Sequence, residues 1–251
     1  MSTSTLVMYK LYQIVVTLYS WALFVLFWLF SILTAAILSL DAKDKENIFN
    51  TTERVFSRIA FKLLGMKIEI QGLENIPKNE PVIFISNHQS MMDIKLSLAC
   101  IPTNISFISK DTIFRVPILG AYMKASGHIP IQRGEDRKAY ETLLTAVKKL
   151  TAKKSLVVFP EGTRSEDGQL GAFKRGISLI ILKSGRRVVP MAICGSNQFM
   201  PKRGWLSHPE KRCVKINFGK PLSFDNSRTD REYTIQVTNQ LRNEVLGLLQ
   251  S

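Results

Sequence analysis

The 251-residue chain is poor in cysteine and histidine, with three of each. Cys100, Cys194 and Cys213 are scattered among apolar neighbours and form no Cys-x-x-Cys pair. That excludes a disulfide framework and a structural zinc site, and predicts buried free thiols in a reducing compartment. His128 and His208 lack metal-ligand spacing, so no metal or cofactor is expected. No Gly-x-Ser-x-Gly elbow occurs, which removes the common setting of a serine nucleophile. There is no internal repeat, no low-complexity segment and no recognisable nucleic-acid module. The longest gap is in charge: from Leu11 to Leu40 no side chain carries one.

As a helix that uncharged run is roughly 45 Å long, against roughly 30 Å of bilayer hydrocarbon. It exceeds the apolar region of a signal peptide and lacks a small-residue cleavage site. The expectation is a membrane-embedded helix, and whether it crosses or stays in one leaflet is left open. The chain has a formal charge of +14, and residues 1–50 are balanced, so the whole excess lies in 51–251. Arg54, Arg58, Lys62 and Lys67 follow the apolar run and only Lys10 precedes it. If the helix spans, that asymmetry puts the main domain in the cytoplasm, at the inner membrane of a bacterium. A basic surface seeks polyanions, whether anionic lipid, an acidic substrate or nucleic acid.

Asp41-to-Asn50 reads as a charged linker, with Asn50 and Glu53 opening a helix. That helix gathers Val55, Phe56, Ile59, Ala60, Leu63 and Leu64 on one side and Arg54, Arg58 and Lys62 on another. Two readings stand: a basic amphipathic helix lying in the headgroup region, or an ordinary domain helix with its apolar face in the core. Beyond Gly65, short apolar strands alternate with helices: 66–70, 82–86, 105–109, 129–132, 156–159, 188–194 and 214–218. Between the third and fourth strands lies a loop rich in Pro and Gly. Residues 136–153 read as a helix, and a last helix starts at Thr229 with Glu232 as a capping box. The pattern predicts an α/β fold, a largely parallel sheet flanked by helices. Residues 1–65 form the membrane-anchoring helical segment and 66–251 the α/β domain.

Two loops carry the candidate chemistry. Asn87-His88-Gln89-Ser90-Met91-Met92-Asp93 follows one apolar strand, and Phe159-Pro160-Glu161-Gly162-Thr163-Arg164-Ser165 follows another. Loops past the carboxyl ends of parallel strands share one edge of the sheet, so both motifs are expected at one site. An imidazole near neutral pH is a natural general base, and a carboxylate five residues on can orient it. In the second loop Gly162 lets the backbone approach an anion, Thr163 offers a hydroxyl and Arg164 can take a phosphate bidentately. Glu161 either holds an arginine or meets a hydroxyl of the ligand. Ser90, two residues from His88, keeps a hydrolase reading open.

Together the His-x4-Asp and the Phe-Pro-Glu-Gly-Thr-Arg-Ser stretches resemble the glycerolipid acyltransferase family, which includes the 1-acylglycerol-3-phosphate acyltransferases. The resemblance extends from about Gly72 to Pro221. It takes in Lys110-Asp111-Thr112-Ile113-Phe114-Arg115-Val116-Pro117-Ile118-Leu119-Gly120, Arg133, Phe173-Lys174-Arg175-Gly176 and Val188-Val189-Pro190. By that resemblance Lys110 and Arg133 are phosphate-binding candidates. Thr112 stands where many members have glutamate, and Gln132 where aspartate is common.

The resemblance implies transfer of a fatty acyl chain to the sn-2 hydroxyl of 1-acylglycerol-3-phosphate, giving phosphatidic acid. Acyl-CoA or acyl-acyl carrier protein would be the co-substrate and membrane lipids the surroundings. His88 would be the base, Asp93 its orienting carboxylate, and the substrate-binding residues Lys110, Arg133, Glu161, Gly162, Thr163 and Arg164. Three alternatives stand beside it: another lysolipid or glycerol phosphate as acceptor, a membrane esterase, or a membrane-tethered basic protein that binds without catalysis.

Overall fold

A computed structural model of the chain describes residues 3–131, 141, 144, 154–203 and 206–251. The described strands are β1 (Lys67–Gln71), β2 (Ile83–Ser86), β3 (Ile105–Lys110), β4 (Ile129–Ile131), β5 (Ser155–Val158), β6 (Val188–Cys194) and β7 (Cys213–Phe218). They form one sheet in the order β1-β7-β6-β2-β5-β3-β4. All neighbours run parallel except β6 and β7. The expected α/β fold is thus observed.

Successive strand residues face opposite sides of the sheet, and β2 shows the result. Phe84 joins Phe61, Met92 and Leu96 in one cluster. Ile83 and Ile85 join Ile177, Ile181 and Leu241 in the other. The first face is covered by α1 (Thr3–Leu38), α2 (Lys45–Leu63) and α3 (Met92–Cys100). The second is covered by α5 (Gly176–Ser184) and α7 (Arg231–Gln250). Two shorter helices, α4 (Leu119–Ala125) and α6 (Ser196–Phe199), complete the described set. The inner strands β2, β5 and β6 are buried on both faces, which is why they read as continuous apolar runs, whereas the edge strand β1 is largely exposed.

The uncharged run is one helix, α1. It turns a mostly small or polar stripe (Gln13, Val16, Thr17, Ser20, Leu23, Ser31, Ala35) toward the protein. Small residues let the two backbones approach, and Phe24 meets Phe61 of α2 edge-on at 5.5 Å. Polar groups tie the first half down: Ser207 N donates to Thr17 Oγ1 at 2.7 Å, and Tyr9 donates to Glu210 at 2.9 Å. The remaining circumference, including Val15, Leu18, Trp21, Val25, Leu29 and Leu33, is exposed.

Several sequence expectations need correction. The expected linker is mostly helix, because Asp44 caps α2 by accepting from Asn47 N at 3.1 Å. Asn50 and Glu53 are interior: Asn50 Oδ1 accepts from Ile105 N at 2.9 Å, and Glu53 pairs with Lys95 in the protein interior. Arg54 and Arg58 do not form a free basic face. Arg54 donates to the Ile101 and Thr103 carbonyls at 3.1 and 2.7 Å, and Arg58 to Ala99 O at 2.6 Å. A helix ends in unpaired carbonyls with partial negative charge, and these guanidiniums cap α3. The apolar side of α2 splits: Ala60, Phe61 and Leu64 are buried, whereas Val55, Ile59 and Leu63 are exposed.

The Pro- and Gly-rich loop contains a 3-10 helix (Asp111–Arg115) and α4. The last helix is capped by Asp230, whose carboxylate accepts from Tyr233 N at 2.9 Å, not by Thr229. Cys100 is buried and its thiol is pushed up to about 12 by burial, but Cys194 is half-buried and Cys213 exposed. Gln132, Arg133 and most of the expected 136–153 helix lie outside the described residues.

Candidate active site

β2 and β5 are parallel neighbours, with Ile85 opposite Val158. Their following loops therefore emerge side by side at the carboxyl edge of the sheet. Asn87 locks the first loop in place. Its side chain accepts from Ile193 N and donates to Ile193 O, both at 2.8 Å, continuing the β2–β6 pairing with an amide in place of a peptide. His88 comes next, and its ring stacks on Phe159 with centroids 4.2 Å apart.

His88 Nδ1 lies 2.8 Å from Asp93 Oδ2. Asp93 is fully buried on the first turn of α3, where the helix dipole favours a carboxylate. The same oxygen accepts the Gln89 and Ser90 N–H groups at 2.7 and 2.8 Å. With Oδ2 already accepting two backbone N–H groups, Nδ1 is the natural donor to it, and the neutral ring in that tautomer has its lone pair at Nε2. The His88 side chain is 15% exposed. A largely covered imidazole with its Nε2 turned from the carboxylate that holds Nδ1 can accept a proton from a bound hydroxyl.

Ser90 is buried, donating to Met200 O at 2.8 Å and accepting from Met92 N at 3.2 Å. Its hydroxyl is committed to the backbone of the loop after α6, which removes it as a nucleophile.

The second loop is bonded to the first. Ser165 N donates to His88 O at 2.7 Å. Glu161 accepts the His88 N–H at 2.8 Å through Oε1 and the Gly171 N–H at 2.9 Å through Oε2. Burial lifts the Glu161 carboxyl above its ordinary range, against these two donors. Glu161 thus serves backbone geometry, joining the two loops through main-chain N–H groups. Gly162 has a φ of 71°, and a Cβ there would stand 2.9 Å from the Lys174 ammonium. The left-handed conformation is what calls for glycine, since the Lys174 side chain can swing away from a Cβ.

Thr163 is exposed and Arg164 half-buried at the mouth of this loop. Lys202 approaches from the segment after α6, donating to Arg164 O at 2.7 Å and reaching Thr163 Oγ1 at 3.4 Å. Sequence reasoning missed Lys202, since nothing in its neighbourhood marks a lysine 38 positions downstream as part of this loop. Lys110 ends β3, on the far side of β5 from His88, with its side chain exposed. Arg133 lies outside the described residues. Gly162, Thr163, Arg164, Lys174 and Lys202 therefore make a cationic loop bonded directly to the base-bearing turn.

The profile of the Acyltransferase family matches residues 67–194, strands β1 through β6 with both loops. The chain belongs to the acyltransferase family. A chloroplastic 1-acyl-sn-glycerol-3-phosphate acyltransferase of Arabidopsis thaliana is 40% identical over 159 residues, 62% of this chain and 44% of that one. The 1-acyl-sn-glycerol-3-phosphate acyltransferase of Saccharomyces cerevisiae is 32% identical over 198 residues, 76% of this chain and 63% of that one. The match spans less than half the length of the plant relative. Among solved structures, the 1-acyl-sn-glycerophosphate acyltransferase of Thermotoga maritima superposes with a TM-score of 0.78 at 27% identity, covering 95% of this chain and 98% of that one. In this acyltransferase the matched segment contains every candidate site residue and stops short of Lys202.

Proposed function

We propose that this acyltransferase moves a fatty acyl group from a thioester to the sn-2 hydroxyl of 1-acylglycerol-3-phosphate, producing phosphatidic acid. The observation that carries the reading is the direct bonding of the His88–Asp93 pair to the cationic Gly162–Arg164 loop. A base and a phosphate site on adjoining, directly bonded loops suit an acceptor whose hydroxyl and phosphate sit on one glycerol.

In this mechanism His88 Nε2 takes the proton of the acceptor hydroxyl as its oxygen attacks the thioester carbonyl carbon. The tetrahedral adduct expels the thiolate, which takes the proton from the imidazolium, so no acyl-enzyme is needed. Asp93 holds the reactive tautomer and stabilises the cation formed. Arg164, with Lys110 and Arg133 as further contacts, binds the phosphate; Lys202 holds the Arg164 backbone in place. Acyl-CoA and acyl-acyl carrier protein both present an anionic carrier to a basic domain.

The anchor is α1. Because the protein grips it from Tyr9 to Ala35, the helix is read as lying along the domain with its apolar circumference, and Val55, Ile59 and Leu63 of α2, in the near leaflet. The greasy acceptor then reaches His88 without leaving the membrane.

The test is acyl transfer by the full chain in detergent. Oleoyl-CoA and oleoyl-carrier protein are each offered with 1-acylglycerol-3-phosphate and with lysolipids of other headgroups. Phosphatidic acid is expected from the wild type and its loss, by about 10²–10⁴-fold, from His88→Ala. Arg164→Ala should act through KM for the acceptor. Free fatty acid without acylated acceptor would identify an esterase. No turnover by folded protein would leave a membrane-tethered binding protein.

A further inference from the structure

We propose that the turn Val116–Ile118 is a wedge of the catalytic domain that inserts into the bilayer beside α1. The inference rests on the reading of α1 as a membrane-embedded helix.

Ile118 is the one non-glycine residue with positive φ among the described residues, at φ 63° and ψ −57°. Leu119 N donates back to Pro117 O at 2.6 Å, closing a three-residue γ-turn. That conformation is rare and strained, and most so for a β-branched side chain. The surroundings impose it. Val116 N donates to Ile113 O, Gly120 N to Val116 O at 2.7 Å and Tyr122 N to Ile118 O at 2.9 Å. Gly120 packs so close that a Cβ would stand 2.2 Å from Phe114 O.

The strained residue is not satisfying a core. Ile118 is 60% exposed and Val116 47%. Glycine or asparagine would accept this backbone at less cost, and a polar side chain would suit water better. Strain and exposed aliphatic surface thus coincide at one tip, and a hydrocarbon environment reconciles them. The flanking residues show which way the tip points. Ile113, Phe114 and Leu119 pack in one cluster with Trp28, Ile32 and Ala35 of α1. The turn is thereby anchored against α1, the helix on which Leu29, Phe30 and Leu33 are exposed. On either side of the turn in sequence Arg115 and Lys124 are exposed, with Arg115 bonded to Asp111 at 2.7 Å. An aliphatic tip flanked by cations matches a leaflet with anionic headgroups: the tip enters the acyl boundary while the ammonium and guanidinium groups stay with phosphate.

The experiment places an environment-sensitive fluorophore at single cysteines in the full chain, with Cys194 and Cys213 replaced by serine and the buried Cys100 retained. The protein is reconstituted in vesicles of phosphatidylcholine and phosphatidylglycerol. Ile118→Cys and Val116→Cys report on the wedge, Leu29→Cys on α1, and Gln240→Cys on α7, across the sheet, serves as the aqueous reference. Quenching is read with doxyl-labelled lipid and with aqueous iodide. The proposal expects positions 29, 116 and 118 to be quenched by the lipid and shielded from iodide, and position 240 the reverse. If 29 meets lipid while 116 and 118 behave like 240, the wedge is overturned and α1 stands as the anchor. If 29 also behaves like 240, the membrane reading of α1 falls and the wedge with it.

Discussion

Glu161 grips His88 by the backbone and leaves the ring alone: one carboxylate oxygen accepts the His88 N–H and the other the Gly171 N–H. A single side chain thereby fixes the distance between the base-bearing turn and the cationic loop. Glu161→Gln keeps the shape but must aim an amide N–H₂ at one of two N–H donors. The lost bond and the facing donors cost about 1–3 kcal/mol. The expected outcome, read from initial rates on folded protein, is a fall in kcat of about tenfold to a hundredfold. A kcat equal to wild type would show that the Glu161 grip does not position His88.

Ser90 gives the opposite kind of prediction. Its hydroxyl bonds Met200 O and Met92 N, so Ser90→Ala removes a tether and no reacting atom. Unfolding should become easier by about 1 kcal/mol, with kcat retained within severalfold. Intact mass after incubation with a serine-directed fluorophosphonate should show no adduct at Ser90. A dead but folded Ser90→Ala would revive covalent catalysis.

Much of this site was legible because its parts are local. The His88–Asp93 pair is a five-residue turn, and its meeting with Glu161–Arg164 follows from one rule of parallel sheets plus the adjacency of β2 and β5. What escaped depends on partners distant in sequence. Arg54 and Arg58 recur every four residues, which suggests a solvated stripe, yet the carbonyls that take them belong to the end of α3. Val55, Ile59 and Leu63 lie beside Ala60, Phe61 and Leu64 on a helical wheel, and periodicity alone cannot say which row meets the core. Lys202 reaches Arg164 across 38 residues, and Glu161 answers backbone N–H groups, which no side-chain pattern encodes. The strain at Ile118 is likewise invisible in a Pro-Ile-Leu-Gly string.

The arginines make the third prediction. Arg58 Nε donates to Ala99 O at 2.6 Å, against the carboxyl end of α3. Arg58→Ala leaves the Ala99 carbonyl without this donor and should destabilise the chain by about 1–2 kcal/mol. Arg58→Lys should recover only part of this, since a point charge cannot reproduce the guanidinium geometry. Sedimentation with anionic vesicles should be unchanged in both variants. A selective loss of vesicle binding with normal stability would restore the headgroup role for this face.

His128 carries the pH prediction. It is buried, rings with Phe107 and Tyr122, and accepts from Phe107 N at Nδ1. Burial first, then the ammonium groups of Lys154 and Lys95, hold its pKa down to about 3. The unfolded chain protonates this imidazole below about 6.5 while the folded one does not, so the unfolded state binds the extra proton. Stability is therefore fully present above about pH 6.5 and is lost as pH falls from there toward 3, by about 1.4 kcal/mol per unit. His128→Gln removes the titration. It should lower stability at pH 7.5 through the altered Phe107 contact, yet flatten the slope of unfolding free energy between pH 6 and 4.5 by close to one proton. Denaturant titrations at those pH values supply the slopes, and equal slopes for the two proteins would mean that another buried group governs the acid limb.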